Sequence, residues 1–216
     1  MNKKQLIENI GGISVTSKMP CDSFNLSAFY CNTGSKLRKI KNSACSDCYA
    51  LKGNYIRYRK TLDNAHKRKM NIYNDNHLKW RNNFVLYLNK YAIKKSNYWR
   101  WFDSGDLQSY QMLLDIIFIA KNTPNIMHWL PTHERGHYNK LLKNKHIKIP
   151  DNICIRVSAP MQDSILKGVQ NTSSIHNKKV NDEGTFNCVA PKQDNQCLDC
   201  RACWDKDIKN INYLKH

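Results

Sequence analysis

The 216-residue chain carries 35 Lys and Arg against 17 Asp and Glu, a formal net charge of +18, with 41% apolar residues. That length supports one domain, residues 1–216, with a real core, and no run approaches the roughly 20 apolar residues of a membrane span. The basic start "MNKKQLIENIGG" lacks the apolar run of a signal peptide, so a cytoplasmic protein without membrane contact is expected.

In chain order, the first notable stretch is residues 21–48, which holds Cys21, Cys31, Cys45 and Cys48. Overlapping it, Lys36 to Lys69 contains eleven Lys or Arg against two acids, Asp47 and Asp63. Within it "YIRYRK" interleaves aromatics with Arg57, Arg59 and Lys60, a pattern suited to base stacking plus phosphate contact. The bland alternative is a Lys-rich composition whose charges merely keep the protein soluble.

Trp80, Phe84, Leu88 and Tyr91 then form one stripe of a long helix. Tyr98–Asp103 reads as a strand running into the loop Ser104-Gly105-Asp106. A helix follows with Leu113, Ile116, Ile117 and Ala120 on one face and Pro124 beyond its end. "NIMHWLP" is a second strand, a helix begins with Thr132 as N-cap, and "NICIRVSAP" is a third strand. Strand–helix alternation over 98–160 predicts an α/β core with a parallel sheet, in the form of an open or partial (β/α) barrel. Its chemistry is expected on the loops at the C-terminal strand ends, where Ser104–Asp106 and Thr132–Arg135 would lie.

"HERGH", His133 to His137, matches the H-E-x-x-H zinc protease pattern. That mechanism needs both histidines one turn apart on an established helix, and Pro131 leaves no preceding helical turn. Rim or surface histidines are expected instead.

Nine cysteines in a reducing compartment point to thiols or metal ligands rather than disulfides. Cys154, inside an apolar strand, is expected to be a small buried hydrophobe. The other eight fall into a front set of four and a back set, residues 188–203, comprising Cys188, Cys197, Cys200 and Cys203. The C-x2-C-x2-C run of the back set resembles a cubane ligand pattern with Cys188 as the fourth corner. Isolated C-x2-C pairs also suit zinc, which stays open as the alternative.

Together, "CSDCYALKGNY", "RWFDSGDLQSY", "IAKNTPN" and "CLDCRACW" resemble the phage gene product 88 family over most of the chain. That family looks similar to the radical S-adenosylmethionine barrels. The resemblance implies a viral protein of the host cytoplasm, with a cysteine-bound cubane at the rim of a partial barrel and Cys45 and Cys48 among its ligands. It also implies that Ser104, Gly105 and Asp106 stand where such barrels hold the cofactor's amino group. Those barrels use three cysteines at C-x3-C-x2-C, whereas Lys41 occupies the first of those positions here. If Cys21, Cys31, Cys45 and Cys48 all bind one cluster, no iron is open, S-adenosylmethionine is not expected to be cleaved, and Asp106 is left to order the rim.

The resulting expectation is an iron–sulfur protein with one or two [4Fe–4S] clusters. The alternative is a basic nucleic-acid-binding protein with structural metal sites. No substrate or reaction follows from these residues.

Overall fold

Alternating side chains in "YWRW" send Trp99 and Trp101 to one side of a strand and Tyr98 and Arg100 to the other. This split organises the whole molecule. The computed structural model describes residues 1–215. Its helices are α1 (Lys3–Asn9), α2 (Asn32–Leu37), α3 (Asn54–Arg57), α4 (Arg59–Asp75), α5 (His77–Tyr87), α6 (Tyr110–Lys121) and α7 (Arg135–Lys143). The strands are β1 (Ser23–Phe24), β2 (Tyr98–Trp101), β3 (Met127–Thr132), β4 (Ile153–Ser158), β5 (Thr172–His176), β6 (Thr185–Asn187) and β7 (Asn210–Leu214).

All seven strands join one parallel sheet in the order β1-β2-β3-β4-β5-β7-β6. The sheet is open, with β1 and β6 at its two edges. Its register is direct across the centre, with Tyr98 opposite Met127 and His128 opposite Ile153. The expected α/β class and the three predicted strands are therefore present. The sheet, however, reaches well beyond residues 98–160 at both ends.

The helical layer covers one face. Trp80, Phe84, Leu88, Leu113, Ile116 and Ala120, six of the stripe residues, are all at most 1% exposed, and they pack on Trp99, Trp101, Leu130, Ile153 and Val157. Trp80 and Phe84 meet edge-on with centroids 4.6 Å apart, which suits the ring quadrupoles. Burial of each such side chain stabilises the fold by about 1.5–3 kcal/mol. The last stripe residue, Tyr91, lies beyond α5, where the helix widens into a π-turn over Leu88–Ala92. The opposite face of the sheet carries Tyr98, Arg100, Trp129, Cys154 and Arg156, and the C-terminal segment folds over it.

One predicted boundary moves. Thr132 ends β3 rather than capping α7, whose N-cap is Glu134. The Thr132 hydroxyl instead accepts from Glu134 N at 2.9 Å and donates to Asp106 Oδ1 at 2.6 Å.

His128 on β3 is fully buried. Trp101 Nε1 donates to its Nδ1 at 3.2 Å, so Nε2 carries the proton and donates to Thr123 Oγ1 at 2.8 Å. Burial lowers its pKa from 6.5 to about 3. Between those values the unfolded chain binds a proton that the folded one refuses, so His128 costs stability as pH falls below about 6.5. The stability advantage of wild type over His128→Gln is therefore expected to shrink on going from pH 7 to pH 4. Chemical denaturation at the two pH values reads it, and a pH-independent difference would refute the assignment.

Candidate functional site

After β1 the chain crosses the C-terminal rim of the sheet and is fastened there. Leu26 N donates to the Ser104 carbonyl at 3.0 Å, and Ser104 Oγ returns a bond to the Leu26 carbonyl at 2.8 Å. Gly105, at φ 77°, lies so close that an added Cβ would stand 2.6 Å from that carbonyl oxygen. Only glycine fits there. Asp106 is 5% exposed and accepts from Leu107 N, Thr132 Oγ1 and His133 N at 2.7, 2.6 and 2.8 Å. Burial pushes its carboxyl up to about 7 against those three bonds. Ser104 and Gly105, read as cofactor residues, thus lock the loop, while Asp106 ties the ends of β2 and β3 together.

Two further contacts bring cysteines to this rim. Cys31 is the N-cap of α2, and Thr33 in its first turn donates from N and Oγ1 to the Glu134 carboxylate at 2.8 and 2.9 Å. Residues 42–44 pair with the segment after β4: Ala44 N donates to the Pro160 carbonyl and Gln162 N to that of Asn42. Cys31, Cys45 and Cys48 thereby converge. Gly34 leaves the space between them, since a Cβ there would lie 3.6 Å from Cys45 Sγ and 3.7 Å from Cys31 Sγ. Burial raises all three thiols, Cys45 to about 12, and the Arg38 guanidinium pulls each the other way.

Cys21 does not join them. It precedes β1 while Cys31 follows it, so a strand of the sheet separates the two cysteines. Cys21 packs instead with Trp129, Trp204, Met19 and Cys203. Of the front set, the structure brings three cysteines together and places Cys21 elsewhere.

The back set gathers on the face opposite the helices. Cys188, Cys197, Cys200 and Cys203 line one small cavity closed by Phe186, Trp204 and Ile211. Cys188 directly follows β6, and its N–H donates to the Asn212 carbonyl on β7 at 2.8 Å. Cys197 N donates to the Lys18 carbonyl, and Cys203 Sγ lies 3.3 Å from the Tyr213 hydroxyl. Burial raises the Cys203 thiol to about 12. Cys154 stands apart, fully buried, with its sulfur 4.0 Å from the Asp205 carbonyl. A larger open groove along Tyr98, Met127 and Lys206 touches only Cys200 among the cysteines.

Among the described residues, no three His, Cys, Asp or Glu side chains are arranged as ligands of one metal ion. The thiols are gathered but not closed around an ion. The surrounding charge is mixed at the rim, where Asp106 opposes thiolates at Cys31 and Cys45 while Arg38 favours them, and at the back Arg100 favours them at Cys197 and Cys203. Arg38 beside the rim thiols and Arg100 beside the back thiols each have a buried Nε without a hydrogen-bond partner. Neither forms an ion pair with a carboxylate among the described residues. Each guanidinium is otherwise held, Arg38 by the Ala28 carbonyl and Arg100 against the Trp129 ring, so only Nε is left for an acceptor that a metal-bound thiolate would supply.

The family model for gene product 88 matches residues 2–206. The chain belongs to the gene product 88 family. No curated protein and no solved structure matches it. In this member of the family, the matched stretch includes every cysteine of both groups.

The H-E-x-x-H motif serves the rim in another way. His133 lies before α7 and His137 within it, so the two do not share a helical face. Glu134 is occupied by Thr33. The predicted nucleic-acid residues Arg57, Arg59 and Lys60 are exposed, on α3 and the start of α4. Lys69, counted in the same basic stretch, is buried: it donates to Asn25 O and Oδ1 at 2.8 and 2.9 Å. Sequence reading passed over Arg38, Arg100 and Gly34. A lone cation in the aromatic strand "YWRW" was the available signal for Arg100.

Proposed function

We propose that this protein is an iron–sulfur protein with a cluster at each thiol group. Cys31, Cys45 and Cys48 would hold a [4Fe–4S] cluster at the rim, and Cys188, Cys197, Cys200 and Cys203 a second on the opposite sheet face. The observation that carries the reading is the displacement of Cys21 from the front set. Three thiolates bind three irons of a cubane and leave the fourth open to a small ligand. The expectation that S-adenosylmethionine is not cleaved rested on four thiolates at this site, and with three that ground is gone. The location at the C-terminal strand ends agrees with the resemblance to radical S-adenosylmethionine barrels. Asp106, beside the thiols, retains one free acceptor direction after its three bonds.

Anaerobically purified protein is expected to be brown, and Cys48→Ser to lose about half its iron. Cys21→Ser should keep the rim cluster, and addition of S-adenosylmethionine should perturb the electron paramagnetic resonance signal of that cluster alone. Colourless, zinc-loaded protein would replace this reading with structural zinc sites. Loss of the same iron from Cys21→Ser and Cys48→Ser would restore the closed, four-thiolate site.

A second reading, nucleic-acid binding, is favoured by the exposure of Arg57, Arg59 and Lys60. Phosphate contacts release counterions, so binding to an oligonucleotide should weaken steeply with salt. Reversing the three to Glu should flatten that dependence, and absence of binding at low salt would reduce the charge to a matter of composition.

A further inference from the structure

We infer that the rim thiol site faces a single-stranded nucleic acid, whose path runs directly over Cys31, Cys45 and Cys48. This deepens the nucleic-acid reading above and rests on it. The cations are not merely near in sequence: the segments that carry the three cysteines also carry exposed Lys36, Lys39, Lys41, Arg57 and Lys60. Between residues 36 and 60 only Lys52 and Arg59 have an acid within ion-pair distance among the described residues. The rest of that charge is available to a polyanion.

Apolar side chains stand among these cations. Tyr49 is 60% exposed, Ile56 58% and Tyr58 52%, three apolar side chains within ten residues of one another. Tyr49 directly follows Cys48; its hydroxyl is turned inward onto the Asp103 carbonyl, which leaves the ring presented outward. The Tyr55 ring meets it edge-on at 6.0 Å, and Tyr58 follows three residues later with the Arg57 guanidinium 5.6 Å from its ring. The next cation, Arg59, has its guanidinium 4.3 Å over the Phe29 ring. Arg57, Tyr58 and Arg59 thus form one continuous aromatic–cation run, which reaches Phe29, two residues before Cys31.

That combination selects among polyanions. A duplex keeps its base faces stacked on one another and offers phosphates and groove edges, so exposed rings find no free face to stack on. An acidic peptide offers carboxylates but no flat faces. A single strand offers both, and each stacked base contributes enough to be measured by truncating one ring.

The test uses the full chain with its metals, kept anaerobic, and a single-stranded oligonucleotide carrying 5-iodouracil. Ultraviolet cross-linking at low salt is expected to attach it to Tyr49 and Tyr58, located by mass spectrometry. Tyr58→Ala, which removes an exposed ring without a hydrogen bond, should weaken binding about tenfold at unchanged iron content. Duplex of the same length and poly-glutamate should each compete at least tenfold less well than the single strand. Binding that persists with cross-links only elsewhere would overturn the placement over the rim while leaving nucleic-acid binding intact. Equal competition by duplex or poly-glutamate would overturn the choice of partner, and no binding at all would remove both readings.

Discussion

Arg156→Met is expected to lower the unfolding free energy by about 3–5 kcal/mol and to empty the C-terminal thiol site while the rim site keeps its iron. Arg156 is fully buried and has no carboxylate within ion-pair distance among the described residues. Its guanidinium is held by carbonyls alone: Nε donates to Cys203, Nη1 to Thr172 and Ile208, and Nη2 to Ala202 and Asp205, at 2.5–3.3 Å. Four of those five carbonyls belong to the segment 202–208 that follows the C-x2-C-x2-C run. One side chain on β4 thus anchors the segment that presents Cys203. Methionine fills the volume but removes the guanidinium donors from all five carbonyls; Ala202 keeps Asp205 N and Ile208 keeps Asn171 Nδ2, and each carbonyl left buried and unsatisfied costs about 1–3 kcal/mol. Partial release of the segment limits the total. Against a typical domain stability of about 5–15 kcal/mol, such a loss is severe. Urea unfolding and iron content together decide it: an unchanged midpoint with full iron would show that the segment is held by other means.

Asp115→Ala should be comparably destabilising, by about 3 kcal/mol, yet should leave the iron bound per folded molecule unchanged. Asp115 lies on α6 in the helical layer, with no exposure, and one carboxylate joins three helices. It accepts from Tyr73 Oη at 2.8 Å, His77 Nδ1 at 2.9 Å and Arg81 Nη1 at 3.1 Å, on α4 and α5. Removing it strands the Arg81 charge, whose Nε already lacks a partner, against the Phe118 ring 3.9 Å from Cζ. Asp115→Asn should fall between the two, because the amide restores an acceptor but not the charge. Loss of iron in step with stability would mean that the helical layer and the thiol sites form one cooperative unit.

The two substitutions separate what the two faces of the sheet do. The helical face carries the hydrophobic core, and its polar network orients helices. The other face is covered by a short, charged and cysteine-rich segment with one 3-10 turn, Ala202–Trp204, kept there by Arg156, by Trp204 donating to the Trp99 carbonyl, and by pairing of β7 with β5.

Local features were legible in the amino-acid sequence because short stretches of chain preserve them whatever surrounds them. Alternation in "YWRW", the helical stripe from Leu113 to Ala120 and the three-residue intervals of Cys197, Cys200 and Cys203 depend only on backbone periodicity. The same holds for Ser104-Gly105-Asp106 at a strand end, where a tight turn needs glycine. Strands β5, β6 and β7 escaped because "TSSIH", "TFN" and "NINYL" are short and polar. They are held by side-chain bonds such as Asn210 to Ser174 and Asn212 to Asn187, not by an apolar pattern. The partners of Cys21 were decided by tertiary structure alone. Nine residues separate it from Cys31, and counted along the chain the two look like neighbours; but β1, Ser23–Phe24, lies within those nine, and Cys21 enters it among Trp129 and Trp204 while the chain leaves it toward the Ser104 loop. Loop length limits how far apart two residues can be, whereas the direction of the strand between them determines which side each one reaches.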